Sequence, residues 1–190
     1  MTLASSQTKP CTAEEYLALE VESDIRNEYR DGDIVPMTGG TPEHNNIVSA
    51  LNALLWFALR NQSYSVFVTD QRLWIPERNV YTYPDIMVTS RPVDLKPGRK
   101  DTVMTPILMA EVLSGSTQGY DRGDKFEAYR TIPTFQEYLL IDQYKPHVEQ
   151  YVKQAENQWL FTEYYSQSLT LQSVSVEIAL ADLYEAVFSD

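Results

Sequence analysis

A mixed α/β domain, with a central β-sheet flanked by helices, is the fold class the sequence predicts, on three observations. Apolar positions Ile47, Val48, Leu51, Leu54, Leu55, Ala58 and Leu59 recur at three and four, the stripe of an amphipathic helix. The run PILMAEVLS (106–114) is nearly continuous in apolar residues, as in a central strand covered on both faces. HVEQYVK (147–153) and QWLFTEY (158–164) alternate like an antiparallel pair with one wet face.

Taken in order, residues 1–11 read as a flexible N-terminal tail and 12–190 as a single domain, without internal repeat or domain-scale linker. Thr12 and Glu15 make a capping-box pattern ahead of a short helix, AEEYLALEVE. NEYRDGDIVPM (27–37) reads as a β-hairpin around Asp31-Gly32. GGTPEH (39–44) is a turn that leads into the long helix from Asn45. Two β-like runs follow within 64–77, then another strand over 81–90 with Pro84 at its mouth. Residues 91–106 are loop. After the strand at 106–114, a Ser/Gly/Thr break precedes a helix over 120–131, closed by Pro133. EYLLID (137–142) is a buried-type strand, and SVEIALADLYEAVF forms a last strand-to-helix unit.

A chain of 190 residues can bury a proper core, and 43% apolar composition speaks against disorder. Lys plus Arg total 15 against 27 Asp plus Glu, a net charge of −12. That field opposes broad attraction to nucleic acid but leaves room for a local basic cleft. No apolar run is long enough to cross a membrane as a helix. The N-terminus lacks the basic start and apolar core of a signal peptide, and a lone Cys11 cannot form an internal disulfide. These features lead to the expectation of a cytoplasmic protein without a membrane partner. The absence of GxGxxG, Walker A, GxSxG and HExxH motifs argues against a nucleotide cofactor and a serine-hydrolase or zincin site. Two histidines and one cysteine argue against a His/Cys zinc centre.

The residues that could carry chemistry cluster between Pro84 and Lys125. Glu111 lies among Met109, Ala110, Val112 and Leu113, and an ionised carboxylate there is costly unless paired or bound to a metal. Asp85, between Pro84 and Ile86, is a turn residue taken alone. Paired with Glu111 it can share a Mg²⁺ in an oxygen-rich shell. Lys125 follows Asp121 by four residues, so the two share a helix face, either as a surface ion pair or as groups delivered to the sheet mouth. In the second case Lys125 orients or deprotonates a water and offsets charge on a phosphate. Ser114, Ser116 and Thr117 are turn and helix-start residues whose hydroxyls could touch a phosphate. His44 shares a face with Ile47, Val48 and Leu51, either packed or at the edge of a site; Glu28 is the remaining candidate carboxylate. His147 reads as structural or exposed.

An Asp in a PD dipeptide, a Glu in an apolar strand and then a basic residue resemble the PD-(D/E)XK nuclease superfamily. More closely, EYRDGDIVPM, GGTPEHNNIVSALNALL, YPDIMV, MAEVLSGST, YDRGDKFEAYRTIPTFQEYLLID and HVEQYV resemble the Uma2 family (DUF820) of restriction-endonuclease-like proteins, abundant in cyanobacteria, over roughly residues 12–165. The resemblance implies a restriction-endonuclease-like core and a Mg²⁺-dependent endonuclease, with Mn²⁺ as a substitute, that hydrolyses phosphodiester bonds of nucleic acid, DNA first. It maps the metal ligands to Asp85 and Glu111, with Glu28 as a further candidate, and the catalytic lysine to Lys125, oriented by Asp121. His44, Ser114 and Thr117 would support the site or contact substrate. One departure stands out: the lysine expected two residues after the glutamate is Leu113 here. The resemblance also implies a homodimer, for which Trp56, Trp74 and Trp159 are candidate anchors. Two other classes remain open, a catalytically inactive nuclease-like binding or interaction module and a metal-dependent hydrolase of a small phosphate ester. A cleft lined by Arg72, Arg78, Arg91 or Arg122 would favour a nucleic acid strand over the small ester.

Overall fold

A computed structural model describes residues 10–188. The chain runs α1 (Ala13–Glu22), β1 (Asn27–Arg30), β2 (Asp33–Pro36), α2 (Pro42–Leu59), β3 (Tyr64–Val68) and β4 (Arg72–Ile75), then a 3₁₀ turn at Pro76–Arg78. Strands β5 (Val80–Thr82), β6 (Ile86–Ser90), β7 (Thr102–Val103) and β8 (Pro106–Leu113) follow. Helical turns α3 (Gln118–Tyr120) and α4 (Phe126–Tyr129) flank a π-helical turn at Asp121–Lys125. The chain ends with β9 (Glu137–Asp142), β10 (Val148–Ala155), β11 (Gln158–Tyr164), β12 (Ser168–Leu171), β13 (Val176–Ala179) and α5 (Leu180–Phe188).

The fold is mixed α/β, and its central element is a six-stranded sheet in the order β11-β10-β9-β8-β6-β3, with β8 and β9 parallel. Every residue of β8 is buried, as its unbroken apolar run requires. Alternation along the strands divides the core. Ile86, Val88, Leu108, Ala110 and Val112 join the apolar stripe of α2 and the residues of β12, β13 and α5. Met87, Met109, Leu113, Tyr138 and Leu140 join β4, β7 and the α4 region on the opposite face. Leu51 and Leu55 of α2 are fully buried, each worth about 1.5–3 kcal/mol relative to exposure.

Beside the expected central sheet stand a five-stranded sheet, β2-β1-β5-β4-β7, and the β12–β13 hairpin. The reason lies at Pro84. Lacking an N–H, it cannot continue a ladder, and the expected strand over 81–90 splits into β5 of one sheet and β6 of the other. Asp85 thereby falls where the chain crosses between sheets. The hairpin forms as expected around Asp31 (φ 46°) and Gly32 (φ 111°), the left-handed pair of a tight two-residue turn. The Thr12–Glu15 capping box is present with both reciprocal hydrogen bonds.

The long helix begins earlier than Asn45. Thr41 is its N-cap and accepts from the His44 N–H, so His44 sits in the first turn rather than before the helix. Strands β7 and β12 were not expected from the sequence. Of the expected N-terminal tail, residues 1–9 lie outside the described residues, while the Cys11 N–H donates to Gly32 O at 3.1 Å.

Candidate active site

Sheet register brings the two acids together. Ile86 pairs with Ala110 across β6 and β8, and one step further Asp85 lies opposite Glu111. Both point to the face of Met87 and Met109, since side chains two apart share a face. The Val112 N–H donates to Asp85 Oδ2 at 2.8 Å, and the Asp85 N–H lies 3.5 Å from Glu111 Oε2. Tyr129 donates its hydroxyl to Glu111 Oε1 at 2.7 Å from α4.

Lys125 completes the cluster. Its Nζ lies 2.9 Å from Glu111 Oε1, 3.6 Å from Asp121 Oδ1 and 3.7 Å from Glu28 Oε1, and all four side chains are buried. Asp121 and Lys125 both lie in the π-helical turn, an uncommon widening of the helix that recurs at functional sites. The surface ion pair considered from their spacing is therefore not what forms. Leu113, where the superfamily lysine would stand, faces the same side of β8 as Glu111 and packs in the apolar cluster with Ala128 and Tyr129. A lysine from the helix covering that face reaches the carboxylate in its stead. Glu28 enters from the other sheet: it lies one step beyond the Tyr29–Tyr81 pair, opposite Thr82, whose hydroxyl donates to Glu28 Oε1.

Electrostatics follow from three carboxylates around one buried ammonium, with Asp85 beside Glu111. Burial alone would lower the Lys125 pKa, but Glu111, Glu28 and Asp121 outweigh it and hold it well above the usual lysine range. Burial pushes Glu111 up to about 8, offset in part by Lys125 and reinforced by Asp85 and Asp121. Burial also raises Asp121, against the pull of Lys125. For Glu28 burial acts upward too, yet Lys125, Thr82 and Arg30 bring it below the ordinary carboxylate range. The ammonium is thus kept, while burial favours the protonated form of Glu111 more than in an exposed carboxylate.

A pH dependence follows. Glu111 has a folded pKa raised from 4.5 to about 8, so the folded state binds the extra proton between these values and stability falls as pH rises through that window. Wild type minus Glu111→Gln stability should therefore decline by a few kcal/mol from pH 4.5 to about 8 and level off above it. Urea unfolding of both proteins across that range measures it; a pH-independent difference contradicts it.

His44 Nε2 lies 3.1 Å from Asp85 Oδ2, and burial, which lowers its pKa, is outweighed by the hydrogen bond and charge of Asp85. Gly40 lets the preceding loop pass this ring, since a Cβ there would meet His44 Nδ1 at 2.6 Å. Ser114 and Thr117 line the same cleft, with their hydroxyls 2.9 Å apart. The cleft encloses about 460 Å³, and all eight candidate residues, Glu28, His44, Asp85, Glu111, Ser114, Thr117, Asp121 and Lys125, lie on its wall.

The four arginines considered from sequence do not line it. Arg72 is buried against Tyr83 and Asp101, Arg91 bonds Ser65, Arg122 pairs with Glu149, and Arg78 lines a neighbouring cavity. Arg26 and Arg30 take their place. Of the tryptophans, Trp56 is exposed, whereas Trp74 stacks on Tyr81 and Trp159 meets Phe126 edge-on. His147 is buried, pairing with Glu163 and stacking on Tyr165.

The family model Uma2, described as "Putative restriction endonuclease", matches residues 13–182. The chain belongs to the Uma2 family. Two Synechocystis proteins are similar to this Uma2 chain. One, "Uncharacterized protein sll1609", is 44% identical over 82% of this chain and 88% of its own length. The other, "Uncharacterized protein slr1290", is 35% identical over 92% of this chain and 91% of its own. A crystal structure from Anabaena variabilis, of "a putative nuclease belonging to DUF820", shares the fold with a TM-score of 0.75, 19% identity and coverage of 94% of this chain and 100% of that one.

The donor chemistry of this Uma2 site suits a hard cation with few protein ligands. Asp85 Oδ1 accepts no hydrogen bond among the described residues, and Glu111 Oε2 has only the long 3.5 Å approach of the Asp85 N–H. Two carboxylate oxygens of that kind fit Mg²⁺ or Mn²⁺, which keep several waters or substrate oxygens. Glu28 fits less well as a ligand, because Thr82, Arg30 and Lys125 occupy its oxygens. Among the described residues, no three His, Cys, Asp or Glu are placed to hold a metal ion together. The sequence reasoning missed Tyr129, Arg30 and Tyr120. Only β-strand parity and the docking of α4, neither local, could have found Tyr129.

Proposed function

We propose that this cleft receives a phosphodiester of nucleic acid, DNA in the first instance, and cleaves it when a divalent cation joins Asp85 and Glu111. The observation that supports this reading is the convergence of Asp85, Glu111 and Lys125 from three separate elements onto one cleft. The cost of burying Glu111 and Lys125 is hard to account for by stability alone, since apolar residues of similar volume are often at least as stable. Mg²⁺ or Mn²⁺ held there would supply Lewis-acid stabilisation of the phosphate oxygens. Lys125 would offset charge on the phosphate as it becomes five-coordinate and orient the attacking water, while Asp121 and Tyr129 hold Lys125 and Glu111 in place. His44 would fix the Asp85 carboxylate through Oδ2. The acidic wall makes the cation a condition of entry, because Glu28, Asp85, Glu111 and Asp121 repel a phosphate that arrives alone. Cutting both strands of a duplex would call for a second copy of the chain.

A second reading is a nuclease-like interaction module that does not hydrolyse. It is favoured by a specific observation: among the described residues no three-ligand metal set exists, and the Lys125 ammonium already occupies Glu111 Oε1 at 2.9 Å. On ligand count it is the better supported of the two. Calorimetric titration with Mg²⁺ and Mn²⁺, beside a cleavage screen on single-stranded, duplex and branched DNA and RNA, separates them. Metal binding with metal-dependent cleavage supports the hydrolytic reading. No metal binding and no cleavage leaves the interaction module.

A further inference from the structure

We infer that Arg30 is a phosphate ligand at the junction of two cavities, and that this junction makes them one channel for a single-stranded stretch of nucleic acid. The inference rests on the phosphodiester reading above and adds a route and a contact for the strand.

Beside the cleft lies a second cavity of about 530 Å³, walled in part by Asp31, Glu77, Arg78, Asp124 and Glu127. Arg30 and Tyr120 belong to the walls of both. The Arg30 guanidinium lies 3.6 Å from the centre of the Tyr120 ring, and its Nε and Nη2 donate to Glu28 Oε2 at 3.1 and 2.5 Å. A guanidinium held on a ring and by a carboxylate is already oriented, so little entropy is lost when it takes another acceptor. Its Nη1 has no acceptor among the described residues, and the side chain is 32% exposed.

The neighbouring cations are committed differently. Lys125 is buried among three carboxylates, Arg78 is held by Glu127, and Arg26 pairs with Asp70 with 46% of its side chain exposed. Arg30 therefore combines fixed geometry, donors to spare and a position between the cavities.

The second cavity sets which part of the strand enters it. Asp31, Glu77, Asp124 and Glu127 outnumber Arg78 there, and they repel a sugar-phosphate backbone. Asp31 and Glu127 already accept from Asn79 and Arg78, so Glu77 and Asp124 are the carboxylates there that would accept from exocyclic amino groups, as acidic side chains do from cytosine N4. The phosphate goes to Arg30 and an amino-bearing base to the acidic cavity. Tyr120 acts as a positioning residue, through the guanidinium it supports.

Fluorescence anisotropy tests this with labelled single-stranded oligodeoxycytidylate and oligothymidylate of about ten nucleotides, Ca²⁺ serving as the divalent ion. Wild type should bind the cytidylate more tightly. Arg30→Gln should weaken binding about tenfold and lower the slope of log K against log salt by about 0.7, one phosphate contact to a single strand. Arg30→Lys should keep the slope while losing part of the affinity. Tyr120→Phe should bind as wild type and Tyr120→Leu more weakly, with unfolding midpoints recorded for all. If wild type binds and Arg30→Gln changes neither affinity nor slope, or the two oligonucleotides bind equally, the channel is overturned and the phosphodiester reading stands. If wild type binds neither oligonucleotide, the channel is overturned, and the cleavage screen on duplex and branched substrates decides the phosphodiester reading separately.

Discussion

Glu111→Ala and Asp85→Ala are each expected to abolish metal-dependent cleavage. The loss should be on the order of 10³-fold or more, because each removes a carboxylate anchoring several kcal/mol of transition-state charge stabilisation. Asp85 lies opposite Glu111 at the mouth of β6 and β8, while the neighbouring Glu28 and Asp121 are held to Lys125. Glu111→Gln is the companion variant: it keeps the shape and a hydrogen-bond partner for Tyr129 while removing the charge. Circular dichroism and unfolding midpoints would be recorded beside the rates. A folded Glu111→Ala or Asp85→Ala protein that still cleaves at the wild-type rate removes the site assignment.

Lys125→Met is expected to cost about 3–5 kcal/mol of stability as well as activity, the range for breaking a buried ion pair by removing one partner. The substitution leaves Glu28, Glu111 and Asp121 without the ammonium that lies within 3.7 Å of each. Part of that cost should return in the double variant Lys125→Met with Glu111→Gln, since the carboxylate most in need of the ammonium is then neutral. Urea unfolding of wild type, both single variants and the double variant forms the cycle. Additive losses, with no coupling between the two positions, would show that Glu111 and Lys125 do not act as a pair.

Asp85 and Glu111 stood out as candidates for a thermodynamic reason. A carboxylate inside MAEVL is costly unless paired or bound to a metal, and a proline before Asp85 places it at a strand mouth. Lys125 stood out by its spacing from Asp121. The periodicities that define α2 and β8 are local, so their existence could be read directly. Asp121 and Lys125 were paired correctly by spacing, although the turn that carries them is π-helical. Arg30, Tyr120 and Tyr129 gave no local signal, because each acquires its role from a neighbour distant in sequence.

What the sequence by itself determined is therefore the mixed α/β class, the order of its principal elements and the group of candidate acids, with one lysine, that the fold brings to one cleft. These depend on side-chain period, backbone donors and the cost of buried charge, all carried by short stretches. Only the tertiary structure decided that the strands divide between separate sheets. It alone set β6 against β8 in the register that opposes Asp85 to Glu111, and laid the helical segment on the odd-numbered face of β8. Register and face are relations between distant segments. Leu113 shows the difference: the sequence marks a missing lysine, and packing supplies Lys125 from another element.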